Sequence, residues 1–255
     1  LSPVPVFQAI RHSTPGSRAA TGRGWCGKAR QKPDDRGPMI ELVPGARREI
    51  AVLGAHCDDI AIGMGGTLLT LVRANPGIRV RALVLTGAGT AREAEERAAL
   101  AAFCAGADLT VTVLGFPDGR TPEHWGEVKT AVAQFRRTTE PDVVFAPQRR
   151  DAHQDHRLLA ELVPTEFRDH LVLGYEILKW ETDTPQPHLF SPLTSDIADA
   201  KVRLLHEHYP SQVGRDWFDE ASFLALSRLR GVQCRHTDAE AFVLEKALLG
   251  LGGRR

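Results

Sequence analysis

The stretch Ile50-Ala51-Val52-Leu53-Gly54, followed at once by His56-Cys57-Asp58-Asp59 and then Gly63-Met64-Gly65-Gly66, decides the fold. A short unbroken apolar run reads as a strand covered on both faces, which is the habit of parallel sheets flanked by helices. The polar tetrad stands where that run stops, and the glycines suggest a turn. Four more runs, Ile78–Leu85, Leu109–Leu114, Val143–Ala146 and Leu171–Tyr175, are short and rich in Val, Leu and Ile. Between them, Thr67–Ala74, Arg92–Ala105 and Gly126–Arg137 carry apolar residues at helical spacing. The alternation predicts an α/β, Rossmann-like fold: a mainly parallel sheet with helices on both faces, plus a smaller C-terminal part facing the substrate. In such sheets, sites form beyond the carboxyl ends of the strands.

At 255 residues the chain can bury a sizeable single core. Its 32 acidic and 32 basic side chains balance, so net charge gives no reason to expect nucleic acid or an acidic membrane surface as partner. Cys26, Cys57, Cys104 and Cys234 are too scattered for a zinc knuckle or a disulfide framework, and a reducing cytoplasm is the expected compartment. No segment reaches the roughly 20 apolar residues of a membrane span. Residues 1–40 are expected to be a disordered leader, since Leu1 to Pro38 is rich in Pro, Gly, Ser and Arg and has neither a period nor a signal-peptide core. Residues 41–250 then form one domain. The sequence leaves oligomeric state open.

A second polar cluster, Asp151-Ala152-His153-Gln154-Asp155-His156, follows the apolar run Val143-Val144-Phe145-Ala146. Two clusters at two strand ends can converge on one metal ion. A catalytic zinc keeps three protein ligands at about 2.0–2.2 Å and an open position, and His56, Asp59 and His156 supply such a set, with another divalent metal as the variant. Successive side chains of a turn point in different directions, so Asp58 takes another role: general base, or else N-cap of the next helix. If His153 opens a helix it lies one turn from His156 and faces the same cavity, able to polarise a carbonyl oxygen or merely to cap. Asp151 or Asp155 can orient a histidine from behind.

These residues resemble the signature motifs of the PIG-L/LmbE-like zinc-dependent N-deacetylases. The likeness rests on His56-Cys57-Asp58-Asp59 with Gly65-Gly66-Thr67 and on His153-Gln154-Asp155-His156-Arg157. It continues through Arg92-Glu93-Ala94-Glu95, Gly115-Phe116-Pro117-Asp118-Gly119, Gly174-Tyr175-Glu176, Tyr209-Pro210-Ser211-Gln212 and Arg230-Gly231, covering about Glu49 to Val243. The resemblance implies one zinc per chain on His56, Asp59 and His156, Asp58 as base, and His153 steadying an oxyanion. It also implies Arg92 and Asp118 around an N-acetylglucosaminyl substrate. From the residues alone, Arg92 equally pairs with Glu95 or Glu96, and Asp118 equally serves the turn before Gly119. Cys57 stands where the family usually has Pro and Ile60 where it often has Glu, which raises the question of a thiolate ligand.

Two other classes fit parts of the pattern. Metal phosphoesterases use Asp and His at strand ends but want two metals and bridging carboxylates. A non-catalytic nucleotide- or sugar-binding module is suggested by Gly87-Ala88-Gly89, although the G-x-G-x-x-G spacing is missing. Tyr175 to Pro192, with Trp180, is expected to form a loop or hairpin facing a small-molecule or conjugated amino-sugar substrate.

Overall fold

The computed structural model describes residues 48–247, so the leader expected over residues 1–40 lies outside the described residues. Each apolar run becomes a strand: β1 (Glu49–Gly54), β2 (Arg79–Thr86), β3 (Asp108–Phe116), β4 (Val143–Pro147) and β5 (Leu171–Tyr175). Helices α1 (Asp59–Ala74), α2 (Ala91–Phe103), α3 (Trp125–Arg137) and α4 (Gln154–Glu166) connect them, with a 3-10 turn over Thr121–His124 before α3. The chain then adds β6 (Leu189–Leu193), α5 (Ser195–His208), α6 (Glu220–Cys234) and β7 (Asp238–Lys246).

The sheet order is β3-β2-β1-β4-β5-β7-β6. The first five strands run parallel, whereas β7 is antiparallel to both β5 and β6. From β1 the chain winds outward to β3, then crosses back to place β4 on the other side of β1. Strand order therefore reverses between β1 and β4, which opens a crevice at their carboxyl ends. The two polar clusters follow those two strands. Alternate residues of β1 feed two separate cores: Ile50 and Val52 pack with α1, α2 and α5, while Ala51 and Leu53 pack with α3 and α4.

The glycine-rich segment differs from the expected turn: it lies inside α1, which bends at Met64 (φ −147°). Its glycines permit close packing. A Cβ at Gly63 would collide with the Tyr175 ring, one at Gly65 would sit 2.7 Å from Phe103, and one at Gly66 2.5 Å from Leu193. The bend frees backbone N–H groups that Glu240 of β7 satisfies, accepting from Gly66 at 2.8 Å and Thr67 at 2.6 Å. Lys201 of α5 completes the clamp, donating to Glu240 at 2.7 Å and to the Ile62 carbonyl at 2.6 Å. The C-terminal elements thus hold the helix that begins at the polar tetrad.

Candidate active site

β1 delivers His56, Cys57 and Asp58 into the crevice, and α1 starts on Asp59. Asp59 is fastened by its own loop: Oδ2 accepts from the backbone N–H groups of Ala55 and His56, both at 2.8 Å. Its Oδ1 lies 3.2 Å from His156 Nε2, and its Oδ2 lies 3.6 Å from His56 Nδ1. The two imidazoles close the set, with His56 Nδ1 2.9 Å from His156 Nε2. A tetrahedral ion bonded at about 2.0–2.2 Å holds its ligand atoms roughly 3.3–3.6 Å apart; the two Asp59 separations lie near that range, and the 2.9 Å between His56 and His156 is shorter.

Each histidine is turned by a carboxylate behind it. His56 Nε2 lies 3.0 Å from Asp155 Oδ2 and 3.1 Å from Asp118 Oδ1, leaving Nδ1 to face the cluster. Asp155 is itself fixed, accepting from Gly119 N at 2.8 Å and Thr121 N at 3.1 Å. His156 Nδ1 stands 3.0 Å from Asp151 Oδ1, off-line for a hydrogen bond, and Lys179 Nζ approaches Asp151 Oδ2 at 3.0 Å. Such pairs set the tautomer that leaves a ring nitrogen free for a metal. The surrounding carboxylates also call for positive charge here. Burial opposes a charged His56, but Asp59, Asp118 and Asp155 outweigh it and push the ring up to about 12. His156 is pushed up to about 9 against the same penalty, mainly by Asp59 and Asp151.

Asp58 points elsewhere. It is buried, adopts φ 127° and makes no capping hydrogen bond with α1, so the N-cap role is not the one it plays. A non-glycine residue in such a conformation costs on the order of 1–3 kcal/mol, a strain characteristic of functional sites. Arg92, at the start of α2, holds it by donating from Nη2 to Asp58 Oδ2 at 2.7 Å and to the Cys57 carbonyl. Burial pushes Asp58 up to about 6, although Arg92 pulls the other way. Arg92 Nη1 reaches Glu95 and Ser211, both at 2.8 Å, so pairing with Glu95 and contact with Asp58 occur together. Ser211 in turn donates to Glu95 from its backbone at 2.9 Å and its hydroxyl at 2.7 Å.

His153 does cap α4: its Nδ1 accepts from Asp155 N at 3.3 Å, which leaves Nε2 to carry the ring proton toward the cavity. Burial holds its pKa below the usual histidine range, as do the neighbouring His156 and His56. Its ring is 4.6 Å from that of His56 and 4.7 Å from that of His156. His56, His153 and His156 form one group whose ligand atoms all lie within 4.8 Å, and His56, Asp118, His153 and Asp155 form an overlapping second. Neither Asp59, expected as a ligand, nor Cys57 is part of either, and His153 stands in the first group instead. The buried thiol of Cys57 donates to the Thr86 carbonyl at 3.4 Å, and burial first, then Glu96, raises its pKa far above the ordinary thiol value.

His56, Cys57, Asp58, Asp59, Arg92, Asp118, His153 and His156 line a cavity of about 640 Å³. Its far wall comes from the segment after β5, with Leu178, Lys179 and Trp180, and from Gln212, Arg215 and Trp217 before α6. Lys179 and Asp183, which pair at 2.6 Å beside Asp151, escape a reading of the sequence because charged residues in a loop carry no periodic signal. Among the described residues no helix is long and apolar enough to cross a membrane.

Comparison with known proteins gives the same direction. Residues 51–166 match the family model described as PIG-L: GlcNAc-PI de-N-acetylase. An Escherichia coli K12 protein named uncharacterized deacetylase YaiS is 30% identical over 175 residues, spanning 64% of this chain and 91% of the relative. The fold is similar to that of N,N'-diacetylchitobiose deacetylase from Pyrococcus horikoshii, with TM-score 0.61, 21% identity, and coverage of 77% of this chain and 83% of that one. It is equally similar to the conserved protein TT1542 from Thermus thermophilus, with TM-score 0.61, 25% identity, and coverage of 81% and 98%. With the two motifs in one crevice and a relative matched over nearly its whole length, this chain belongs to the PIG-L family.

Proposed function

We propose that the protein is a zinc-dependent hydrolase that removes the acetyl group from an N-acetylated amino-sugar conjugate of the N-acetylglucosamine type, releasing acetate and a free amine. The observation that carries this reading is the convergence of His56 Nδ1, Asp59 and His156 Nε2 within 2.9–3.6 Å of one another, with Asp58 beside them and outside the set. The deacetylases among its relatives support the reaction class.

His56, Asp59 and His156 would hold the ion, which supplies a Lewis acid for the amide carbonyl and an acidified water. Asp58, held by Arg92 and made a stronger base by the burial that pushes it up to about 6, takes a proton from the attacking water as the bond to the carbonyl carbon forms. His153 Nε2–H donates to the oxygen that becomes negative, a role suited to a neutral ring with a fixed tautomer. The proton on Asp58 then passes to the departing nitrogen as the C–N bond breaks. Asp151 and Asp155 keep the two ligand imidazoles in register. Asp118, exposed at the cavity edge and within reach of His56, would meet a sugar hydroxyl.

The test is acetate release from N-acetylated amino sugars and their glycosides, with a chelator and zinc add-back. Activity lost to the chelator and restored by zinc is expected. Full activity in chelator, or no acetate from any substrate of this class with zinc present, overturns the proposal.

A further inference from the structure

The cavity is larger than one amino-sugar ring occupies, and its two ends differ in chemistry. At about 640 Å³ it falls in the range of pockets that hold drug-sized ligands, roughly 300–1,000 Å³. One end is the polar cluster. At the other, Trp180 and Trp217 meet edge to face, ring centroids 5.9 Å apart. Trp180 is 61% exposed, yet it is fixed: its Nε1–H donates to Asp216 Oδ1 at 2.7 Å. A fixed indole standing beside a second ring presents an apolar face on which another flat ring can stack. Arg215 and Glu181 line the same end of the cavity.

We infer that the Trp180–Trp217 corner is an aglycone subsite, and that the substrate is a glycoside whose aglycone presents a flat apolar ring, not a free monosaccharide. This rests on the deacetylase reading and deepens it. The sugar lies over the polar cluster with its acetamide inward, and its anomeric substituent extends along Leu178 to the indoles. The corner is built from two segments far apart in sequence, residues 178–181 and 212–217, which meet only through the fold.

The experiment compares N-acetylglucosamine with its phenyl glycosides, both anomers, using the full chain with zinc and the variant Trp180→Ala. Acetate release gives kcat/KM. The wild type is expected to prefer a phenyl glycoside, and Trp180→Ala to lower the glycoside-to-monosaccharide ratio of kcat/KM about tenfold, the effect of one lost ring contact. An unchanged ratio overturns the inference. If no substrate releases acetate, the deacetylase reading fails by itself, and binding decides the subsite. Calorimetry must then find phenyl glucosaminide held more tightly than glucosamine by the wild type and not by Trp180→Ala; equal binding in both proteins refutes the subsite.

Discussion

The parallel half of the sheet, β1 to β5, and the C-terminal part, from the loop after β5 to β7, contribute different things. The parallel half carries every candidate ligand and proton-transfer group on the segments after β1, β3 and β4. The C-terminal part supplies the cavity wall and fasteners: Glu240 and Lys201 on the bent helix α1, and the Arg230–Glu176 pair at 2.5–2.7 Å. Chemistry is thus local to one crevice, while its enclosure depends on contacts between residues far apart in the chain. Substitutions in the two halves should therefore fail in different ways.

The largest effect is expected in the crevice. Asp58→Asn keeps the shape and removes the base, so turnover should fall roughly 10²–10⁴-fold in acetate-release assays with thermal stability nearly unchanged. Wild-type turnover in this variant removes Asp58 from the mechanism. The C-terminal part should respond through stability. Arg230→Met strands the buried Glu176 carboxylate and should cost about 3–5 kcal/mol by denaturant titration. A loss under about 1 kcal/mol would mean that the pair contributes little to closing the sheet.

The smallest effect sits where the halves meet. Glu96 of α2 is fully buried, one oxygen accepting from Tyr209 Oη at 2.7 Å and the other unpartnered. Burial pushes it up to about 8. A carboxyl raised above its unfolded value contributes stability that is present at low pH and lost as pH rises from the ordinary carboxylate range through about 8. Glu96→Gln removes that dependence, so the variant should gain Tm relative to wild type as pH rises across this window. A Tm difference that stays constant with pH contradicts the assignment.

The same division explains what can be read from the sequence. β1, β4 and β5 are nearly continuous apolar runs, while β2 opens on Arg79 and Arg81 and β3 alternates Thr with Val, both still rich in Val and Leu, so all five are visible, and both polar clusters stand at strand ends. The start of α1 is not, because Gly63, Gly65 and Gly66 look like a turn locally. Only Tyr175, Phe103 and Leu193, which press against them in the fold, explain them as packing positions. β6 and β7 carry weaker signals: Pro192 sits in the edge strand, and buried Asp238 and Glu240 interrupt the apolar pattern of β7. Likewise the pairing of Arg92 with Asp58 and Ser211 joins three segments that no spacing rule connects.

The most direct measurement is bound zinc per chain in purified wild type, Asp58→Asn and His156→Ala, by elemental analysis. One zinc is predicted in the first two and its loss in the third, because the proposed ligand set includes His156 and leaves Asp58 out. Equal zinc in wild type and His156→Ala, or its loss in Asp58→Asn alone, would contradict the assignment of this crevice as the metal centre.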